Sequence, residues 1–497
     1  MVFTSWAFVA FFLVVLIAIR LAPTRASRQL VILLASAFFY GYWNKLYLLL
    51  LATPSIIDYY CALYIEATDN PKTRKRILLL SLCTNLGLLG YFKYTNFLLS
   101  TIGAVLGHHY RPLDILLPVG ISFYTFKTLS YTIDVYRREI PACRDWWRYA
   151  MFVTYFPELV AGPIVRASVF LPQMSRSLRP SWMRATVGLQ LILLGVSKKL
   201  LIADRMAVFV DAVFDNPHLF SPSTVICAVI AYSIQIYCDF SGYSDIAIGI
   251  SRIIGFDLPE NFNMPYIALS ITEFWRRWHI TLSQWLRDYL YIPLGGNRRG
   301  RLRTYLNLTI TMFLGGLWHG ASWTFVVWGL LHGAALAAHK FWNEEKGSTL
   351  RIPKFLSWAV TYAFVCFCWI FFRAQTFTVA SVILRKVLFL DRTGVQYLYL
   401  PLFIAIPVLV AAHYLGHVVE SLAKSEGYPR YLTPPAWARR LYQSTHNRFA
   451  LKPHIAAGYY FFLPIPGFWG ASIATLWVFI LYFFATVNSS PFIYFQF

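Results

Sequence analysis

Two histidines are the residues of this sequence best suited to chemistry. His319 lies in "GGLWHGASW" (Gly315–Trp323), and His279 lies forty residues earlier in "WRRWHITL" (Trp275–Leu282). An imidazole titrates near neutral pH, so a histidine can take a proton from a hydroxyl group and pass it on. The chemistry that these residue types indicate is therefore general-base catalysis.

His319 stands out because of its surroundings. It lies fifteen residues into Thr304–Ala338, a segment without a formal charge. Ionisable groups at membrane depth are costly, and they usually face a cavity or a partner. The glycines at 315, 316 and 320 remove side chains around the ring, so that a substrate or another backbone can approach. A histidine hydrogen-bonded between packed helices is the structural alternative. The residues favour the functional interpretation.

The segment around His319 is too long for one straight span. Thr304–Ala338 has 35 residues, which as one helix would extend roughly 50 Å, against about 30 Å for a bilayer core. We predict a break at Gly315–Gly316, beside the histidine. A second long apolar region, Ile455–Val487, is predicted to break at Pro464–Gly467. Irregular backbone at that depth survives only when it is buried in protein or lines a wet cavity.

The segment Ser270–Arg303, which contains His279, is predicted to include one amphipathic helix that begins at Ser270. Ser270 and Glu273 fit a capping box at its start, and Pro293 with Gly295–Gly296 ends it. The arginines point away from a tryptophan-rich face suited to the membrane interface. The residues that share this face at helical spacing are Trp275, Trp278, His279, Leu282, Trp285, Leu286 and Tyr289. A plain interfacial helix accounts for most of them, and His279 is the functional candidate.

The other histidines indicate less. His332 and His339 are seven residues apart on one helix face, which favours packing. His413 and His417 have the spacing of a metal pair, but no third ligand is evident nearby, and we predict no metal site. The seven cysteines form no CxxC pair and indicate neither zinc nor a disulfide framework.

Carboxylates flank small residues in "YCDFSGYSDIAIGISR". We interpret Asp239 and Asp245 as members of structural ion pairs with Arg252 or another arginine. The alternative is a general-acid and general-base pair. The sequence contains no evident GxSxG elbow, P-loop or dinucleotide fingerprint, so it does not support a serine-hydrolase or nucleotide mechanism of the soluble type.

The composition places the chain in a membrane. It is 58% hydrophobic and 13% charged over 497 residues, whereas soluble proteins carry about 25% charged residues. Its apolar runs predict roughly ten to twelve spans in one domain, residues 1–497. The net charge of +22 lies in short loops, which is the positive-inside pattern and not that of a nucleic-acid partner. Basic clusters predict an outside N-terminus, a cytoplasmic Arg276–Arg303 and another cytoplasmic loop at Ser421–Lys452.

These motifs together resemble the membrane-bound O-acyltransferase family. "WRRWHITLSQWLRDYLYIPLGG" is followed by "GLWHGASW", and "LPVGISFYTF", "YFPELVAGPIVR", "YCDFSGYSDIAIGI" and "GYFKYTNF" are similar to the bacterial branch that acetylates alginate and cellulose. The resemblance covers nearly the whole chain. Glu158 departs from the pattern, where glutamine is expected, and this leaves a contact near "AGPIVR" open.

The resemblance implies an all-α polytopic fold of about eleven transmembrane helices, with re-entrant and interfacial helices around a central tunnel. It implies that His319 is the catalytic histidine and that His279 is the second family histidine, near the cytoplasmic mouth. It also implies a multi-pass protein of the bacterial inner membrane. An acyl group, expected to be acetyl, would pass from a cytoplasmic donor to an acceptor that is reached from outside, and periplasmic acetyltransferase partners would complete its transfer to polysaccharide.

The donor expected from this resemblance is acetyl-CoA or an acyl carrier thioester, and no permanently bound cofactor is expected. The candidates for holding an anionic donor are Arg298, Arg299 and Arg301. Positive-inside topology explains these arginines equally well. Lipids are the other expected partner.

Three alternatives remain open from the sequence. D-alanyl transfer from a carrier protein to teichoic acid would use the same fold and chemistry. A transporter would use the buried histidines to relay protons and would move an intact substrate. A membrane scaffold would tolerate replacement of both histidines.

Overall fold

The computed structural model describes residues 1–108, 110–175, 182–345, 352–425, 467–484 and 492. The chain divides into two compact units, Met1–Gly188 with Ala247–Leu258, and Leu189–Ile246 with Pro259–Phe497. The described residues form helices joined by turns and loops, and no strand is assigned among them. The division falls inside two helices, and the single domain expected for residues 1–497 stays a prediction.

The first unit contains nine complete helices among its described residues. They are α1 (Trp6–Leu21), α2 (Arg25–Gly41), α3 (Lys45–Ala67), α4 (Pro71–Leu89), α5 (Thr95–Leu106), α6 (Ile121–Tyr136), α7 (Trp146–Thr154), α8 (Phe156–Leu159) and α9 (Ala167–Phe170). Polar side chains start several of these helices, as where the Asn70 amide oxygen accepts from the backbone of Lys72 and Thr73. Gly120, with φ +79°, precedes α6, so the Pro/Gly pattern of "LPVGISFYTF" does mark a helix boundary.

The helices that follow contain or support both candidate histidines. They are α10 (Trp182–Ser197), α11 (Asp204–Asp215), α12 (Pro222–Ile254), α13 (Ile271–Arg277), α14 (Ile280–Leu286), α15 (Arg301–His319), α16 (Trp323–Glu345), α17 (Lys354–Arg373), α18 (Phe377–Val387), α19 (Leu400–Ser425) and α20 (Gly467–Phe484). Short π-helical stretches interrupt the regular geometry at Gly90–Tyr94, Lys198–Ala203 and Arg287–Tyr291.

The membrane class predicted from composition is confirmed. Six helical segments of the described residues are long and apolar enough to cross a bilayer, and two shorter apolar helices accompany them. The expected number of about eleven spans stays a prediction, as do the central tunnel and the topology. The predicted break at Pro464–Gly467 and the predicted loop Ser421–Lys452 lie largely outside the described residues.

The prediction of a single helix between Ser270 and Pro293 is wrong. The chain breaks at Trp278–His279 into α13 and α14, and His279 takes a left-handed backbone with φ +42° and ψ +55°. The start of α13 is as predicted, because the Ser270 hydroxyl caps the backbone of Glu273. The Glu273 carboxylate, however, accepts from Leu269 and not from Ser270. The seven side chains assigned to the apolar face are all buried, so the prediction that this face is buried is correct despite the break.

The predicted break at Gly315–Gly316 is also wrong. Helix α15 continues through both glycines to His319, and the turn to α16 lies at residues 320–322. The glycines serve close packing instead. A Cβ at Gly316 would overlap the carbonyl oxygen of Phe325 and lie 3.2 Å from the Cα atom of Gly329. His319 is therefore the last residue of a helix that packs backbone to backbone against its successor.

Ion pairs hold the π-helical stretch between α10 and α11 against α12. Nζ of Lys199 lies 2.8 Å from Asp204 and 2.6 Å from Asp239, and Nζ of Lys198 lies 2.7 Å from Asp245. The structural interpretation of Asp239 and Asp245 is thus confirmed. These ion pairs are made by lysines and not by the arginines that the sequence suggested, because the π-helical stretch faces the two carboxylates.

Candidate active site

The two candidate histidines lie side by side in the second unit. Their ring centroids are 6.4 Å apart, His279 is fully buried and His319 is 4% exposed. One stands at the break between α13 and α14, and the other ends α15. The helix break at His279 and the helix end at His319 bring the two rings together. The motifs did not predict the correct position of either one.

Aromatic side chains enclose His319. Its ring contacts Trp318, Trp328 and Phe372 with centroid distances of 5.0, 5.0 and 5.2 Å. These residues come from α15, α16 and α17, and Trp328 and Phe372 are buried. Such a lining excludes water and strengthens electrostatic effects on a reacting group.

His279 is held in place through its ring nitrogen Nδ1. Nδ1 lies 3.0 Å from the amide oxygen of Asn261, which follows α12. The ring of Phe240 packs edge-on against the imidazole at 4.7 Å. A histidine whose second nitrogen is engaged has a defined orientation, as the proton-handling histidines of enzymes require.

A cavity of about 600 Å³ lies in the same unit, and Ile280, the residue after His279, is one of its lining residues. Its apolar wall includes Trp275, Leu286 and Met312. Its polar wall carries several cationic or hydrogen-bonding side chains, namely Arg276, Arg287, His339, Lys340, Asn297, Tyr291, Gln284 and Asn343. A recess with an apolar wall and cationic side chains can hold a ligand that combines an apolar chain with anionic groups.

The cavity and His319 share helix α15. Met312 lines the cavity and precedes His319 by seven residues, which is a rise of about 10 Å along the helix. Gly315 and Gly316 lie between them and contribute no side chain. Trp275 makes a second connection, because its ring packs against Trp328 at a centroid distance of 5.8 Å, and Trp328 packs against His319 at 5.0 Å.

Comparison with known proteins decides the family. The model of the membrane-bound O-acyltransferase family matches residues 145–381, which include both histidines. A peptidoglycan O-acetyltransferase of Helicobacter pylori is 40% identical over 74% of this chain and 75% of that protein. A probable alginate O-acetylase AlgI of Pseudomonas putida is 42% identical over 77% of this chain and 79% of that protein. The chain belongs to the membrane-bound O-acyltransferase family.

This membership identifies the chain as an O-acyltransferase that is embedded in the membrane by several helices. A more distant relative, the teichoic acid D-alanyltransferase of Bacillus subtilis, is 27% identical over 56% of this chain and 75% of that protein. The shared family explains why the sequence alone left D-alanyl transfer open.

The arginines predicted to hold an anionic donor are exposed, two on the loop before α15 and one as the first residue of that helix. Arg298, Arg299 and Arg301 do not line the cavity, although the adjacent Asn297 does. Their assignment to the donor stays a prediction. The cations that do line the cavity include Arg276 on α13, Arg287 in the π-helical stretch after α14, and Lys340 on α16. Sequence reasoning had set Arg276 and Arg287 aside because they point away from the tryptophan-rich face.

Two further sequence interpretations are resolved by the described contacts. His332 is buried and accepts from Trp275, so packing explains it. His339, expected to pack in the same way, instead lines the cavity, with its Nδ1 2.9 Å from the Thr272 hydroxyl. Asn261 was missed, and the signal that could have found it is a polar residue in "ENFNMPY", directly after a long apolar helix.

The unusual Glu158 also has an explanation in the first unit. Its carboxylate pairs with Nζ of Lys127 at 2.5 Å, and both side chains are buried. The lysine also donates to the carbonyl oxygen of Phe152. Glutamate therefore supplies the charge that compensates a buried lysine, and the contact near "AGPIVR" is an ion pair.

Proposed function

We propose that this O-acyltransferase moves an acetyl group from a cytoplasmic thioester donor to a hydroxyl acceptor that is reached from the other side of the inner membrane, for O-acetylation of a polysaccharide. The juxtaposition of the buried rings of His279 and His319 is the observation that carries the proposal, and helix α15 connects His319 to a cavity with cationic side chains in its wall. Relatives with the names alginate O-acetylase and peptidoglycan O-acetyltransferase support acetyl transfer to a carbohydrate polymer.

In this proposal His319 is the general base. It takes the proton of the acceptor hydroxyl while the hydroxyl oxygen attacks the thioester carbonyl. The carbon–sulfur bond breaks, and the proton passes from the imidazolium to the leaving thiolate. An ester and a free thiol result, without any net change in protons. A positioned base and proximity suffice for a thioester, whose carbonyl is already reactive.

The donor is proposed to be acetyl-CoA or an acyl carrier thioester that binds in the cavity. Arg276 and Lys340 lie at its polar wall and Trp275 at its apolar wall. The cations suit the phosphates of either donor, and the apolar wall suits the pantetheine arm. Periplasmic acetyltransferases are the proposed partners that receive the acetyl group and complete its transfer to the polymer.

The first experiment measures polysaccharide acetylation in cells that carry His319→Ala, with membrane levels of the protein measured in parallel. Loss of acetyl groups at a normal protein level is the expected result. His218→Ala is the matched control, since His218 is an exposed histidine after α11, and it should leave acetylation intact. Full acetylation in His319→Ala would refute the catalytic assignment.

A second experiment decides the donor. Purified protein in proteoliposomes receives labelled acetyl-CoA, acetylated carrier protein or D-alanylated carrier protein, and thiol release is measured. Release from an acetyl thioester supports the proposal. Release from the D-alanyl carrier alone would favour transfer of D-alanine, the activity in the name of the relative from Bacillus subtilis. Movement of an intact substrate without thiol release would favour the transporter alternative.

A further inference from the structure

Asn261 is bonded to the segment around His279 by both its side chain and its backbone. Its amide oxygen accepts from the Thr281 hydroxyl at 2.9 Å and from the Thr281 backbone N–H at 3.4 Å, and it lies 3.0 Å from Nδ1 of His279. Its carbonyl oxygen accepts from the backbone of Ile280 at 2.9 Å. The asparagine is 1% exposed. A single buried residue thus holds three consecutive residues of the histidine turn.

These contacts determine where the proton of His279 lies. A backbone N–H can only donate, so the Asn261 atom that faces Thr281 is the amide oxygen and not the nitrogen. The amide nitrogen points the other way and donates to the Ser244 hydroxyl at 3.3 Å. The same amide oxygen faces Nδ1 of His279, and an oxygen cannot donate to it. Nδ1 therefore carries the proton, and Nε2 carries a lone pair.

The lone-pair nitrogen of His279 is the ring atom that these contacts leave available to a reacting group. Nε2 of His279 is buried and has no hydrogen-bond partner among the residues that the structure describes. A buried polar atom of this kind calls for an explanation, and a functional one is available beside His319. The backbone supports the same view, because the left-handed φ of +42° at His279 is rarely adopted by a side chain of this size.

We propose that Asn261 is a positioning residue for acyl transfer, which holds His279 as the Nδ1–H tautomer so that Nε2 meets the reacting groups as a proton acceptor and not as an N–H donor. The inference rests on the proposed function, in which His319 takes the hydroxyl proton. The lone pair of His279 then stabilises the positive charge that forms on the neighbouring ring. It also follows that His279 does not belong to the oxyanion-stabilising donors.

Asn261→Leu and Asn261→Asp test this assignment, with Asn263→Leu as the matched control. Asn263 lies in the same loop and contacts Arg277 through its backbone atoms. The leucine variant at 261 should lower kcat about 10–100-fold, as the loss of a supporting hydrogen bond does elsewhere, with KM for acetyl-CoA within about twofold of wild type. The control should match wild type. Equal loss in both leucine variants would indicate a merely structural role and overturn the proposal.

The aspartate variant adds a pH readout. Its carboxylate keeps the acceptor for Nδ1 and stabilises the protonated ring, so the acid limb of the kcat profile should move to higher pH. The groups that face His279 are the uncharged rings of Phe240, Phe262 and Trp318, and the titratable ring of His319. A profile identical to that of wild type would contradict the assigned role.

A measurement without turnover separates this inference from the proposed function. Nitrogen-15 NMR of histidine-labelled full-length protein is compared with the spectrum of His279→Gln, which assigns the His279 signals. We expect a protonated Nδ1 and an unprotonated Nε2 in wild type and in Asn263→Leu, and loss of that pattern in Asn261→Leu. A protonated Nε2 in wild type would overturn the inference even if acetyl transfer is confirmed. Failure of acetyl transfer alone would count against the proposed function and leave the tautomer result standing.

Discussion

The substitution Gly316→Ala tests whether close helix packing positions His319. The added methyl group would overlap the carbonyl oxygen of Phe325 and lie 3.2 Å from the Cα and N atoms of Gly329. Carbon atoms at contact prefer about 3.5–4.0 Å. All of these neighbours are backbone atoms, which cannot rotate away. Helices α15 and α16 must therefore move apart, and the overlap with the carbonyl oxygen sets the larger part of the displacement, on the order of 1 Å.

This displacement should affect stability and activity together. Overpacking of a well-packed interior costs about 1–3 kcal/mol, so the apparent Tm in detergent should fall. His319 lies one turn beyond the glycine at the end of α15, and a misplacement of about 1 Å at a reacting group can cost about 100-fold in rate. The assay is thiol release from the acyl donor by purified protein, normalised to folded protein.

Gly87→Ala is the control for this prediction. Gly87 lies inside α4, and a Cβ there would meet no atom within 4 Å. Alanine is the better helix former, so this variant should be as stable as wild type or more stable by about 0.5–1 kcal/mol. A Gly316→Ala protein with unchanged Tm and activity would show that the two helices tolerate separation, and the packing argument would fail.

Two further predictions concern charges away from the histidines. Lys127→Met leaves the carboxylate of Glu158 buried without its partner and should destabilise the protein by about 3–5 kcal/mol. The double variant that also carries Glu158→Leu should recover most of the lost Tm. Equal stability of the single and double variants would refute this prediction. Asp391 has a pKa lowered to about 2 by hydrogen bonds from the backbone and side chain of Thr393. A carboxyl group whose pKa is lowered by folding stabilises the folded state at pH values above its ordinary pKa, and this stabilisation is lost on acidification. Hydrogen-exchange protection of this turn should therefore fall between about pH 4 and pH 2. Asp391→Asn should remove that pH dependence.

The sequence by itself determined the class, the family and the two histidines. Apolar content and charge depletion are sums over the chain, so they indicate a membrane protein whatever the helix packing. The motifs around His279 and His319 are local strings, and comparison with relatives confirmed the family that they indicate. The buried face of Trp275 to Tyr289 was likewise predictable, since helical spacing is a local property.

Only the tertiary structure decided how the histidines meet. The break falls at His279 because contacts from Asn261, eighteen residues earlier, hold a left-handed backbone that no local pattern predicts. Helix α15 runs through Gly315 and Gly316 because their lack of side chains lets α16 approach, whereas sequence reasoning took the glycines as helix breakers. Pairing with lysines at Asp239 and Asp245, and the cationic wall of the cavity, depend in the same way on which helix faces which. Packing between residues far apart in the sequence decides such contacts. The residue types alone indicate only which contacts are chemically possible.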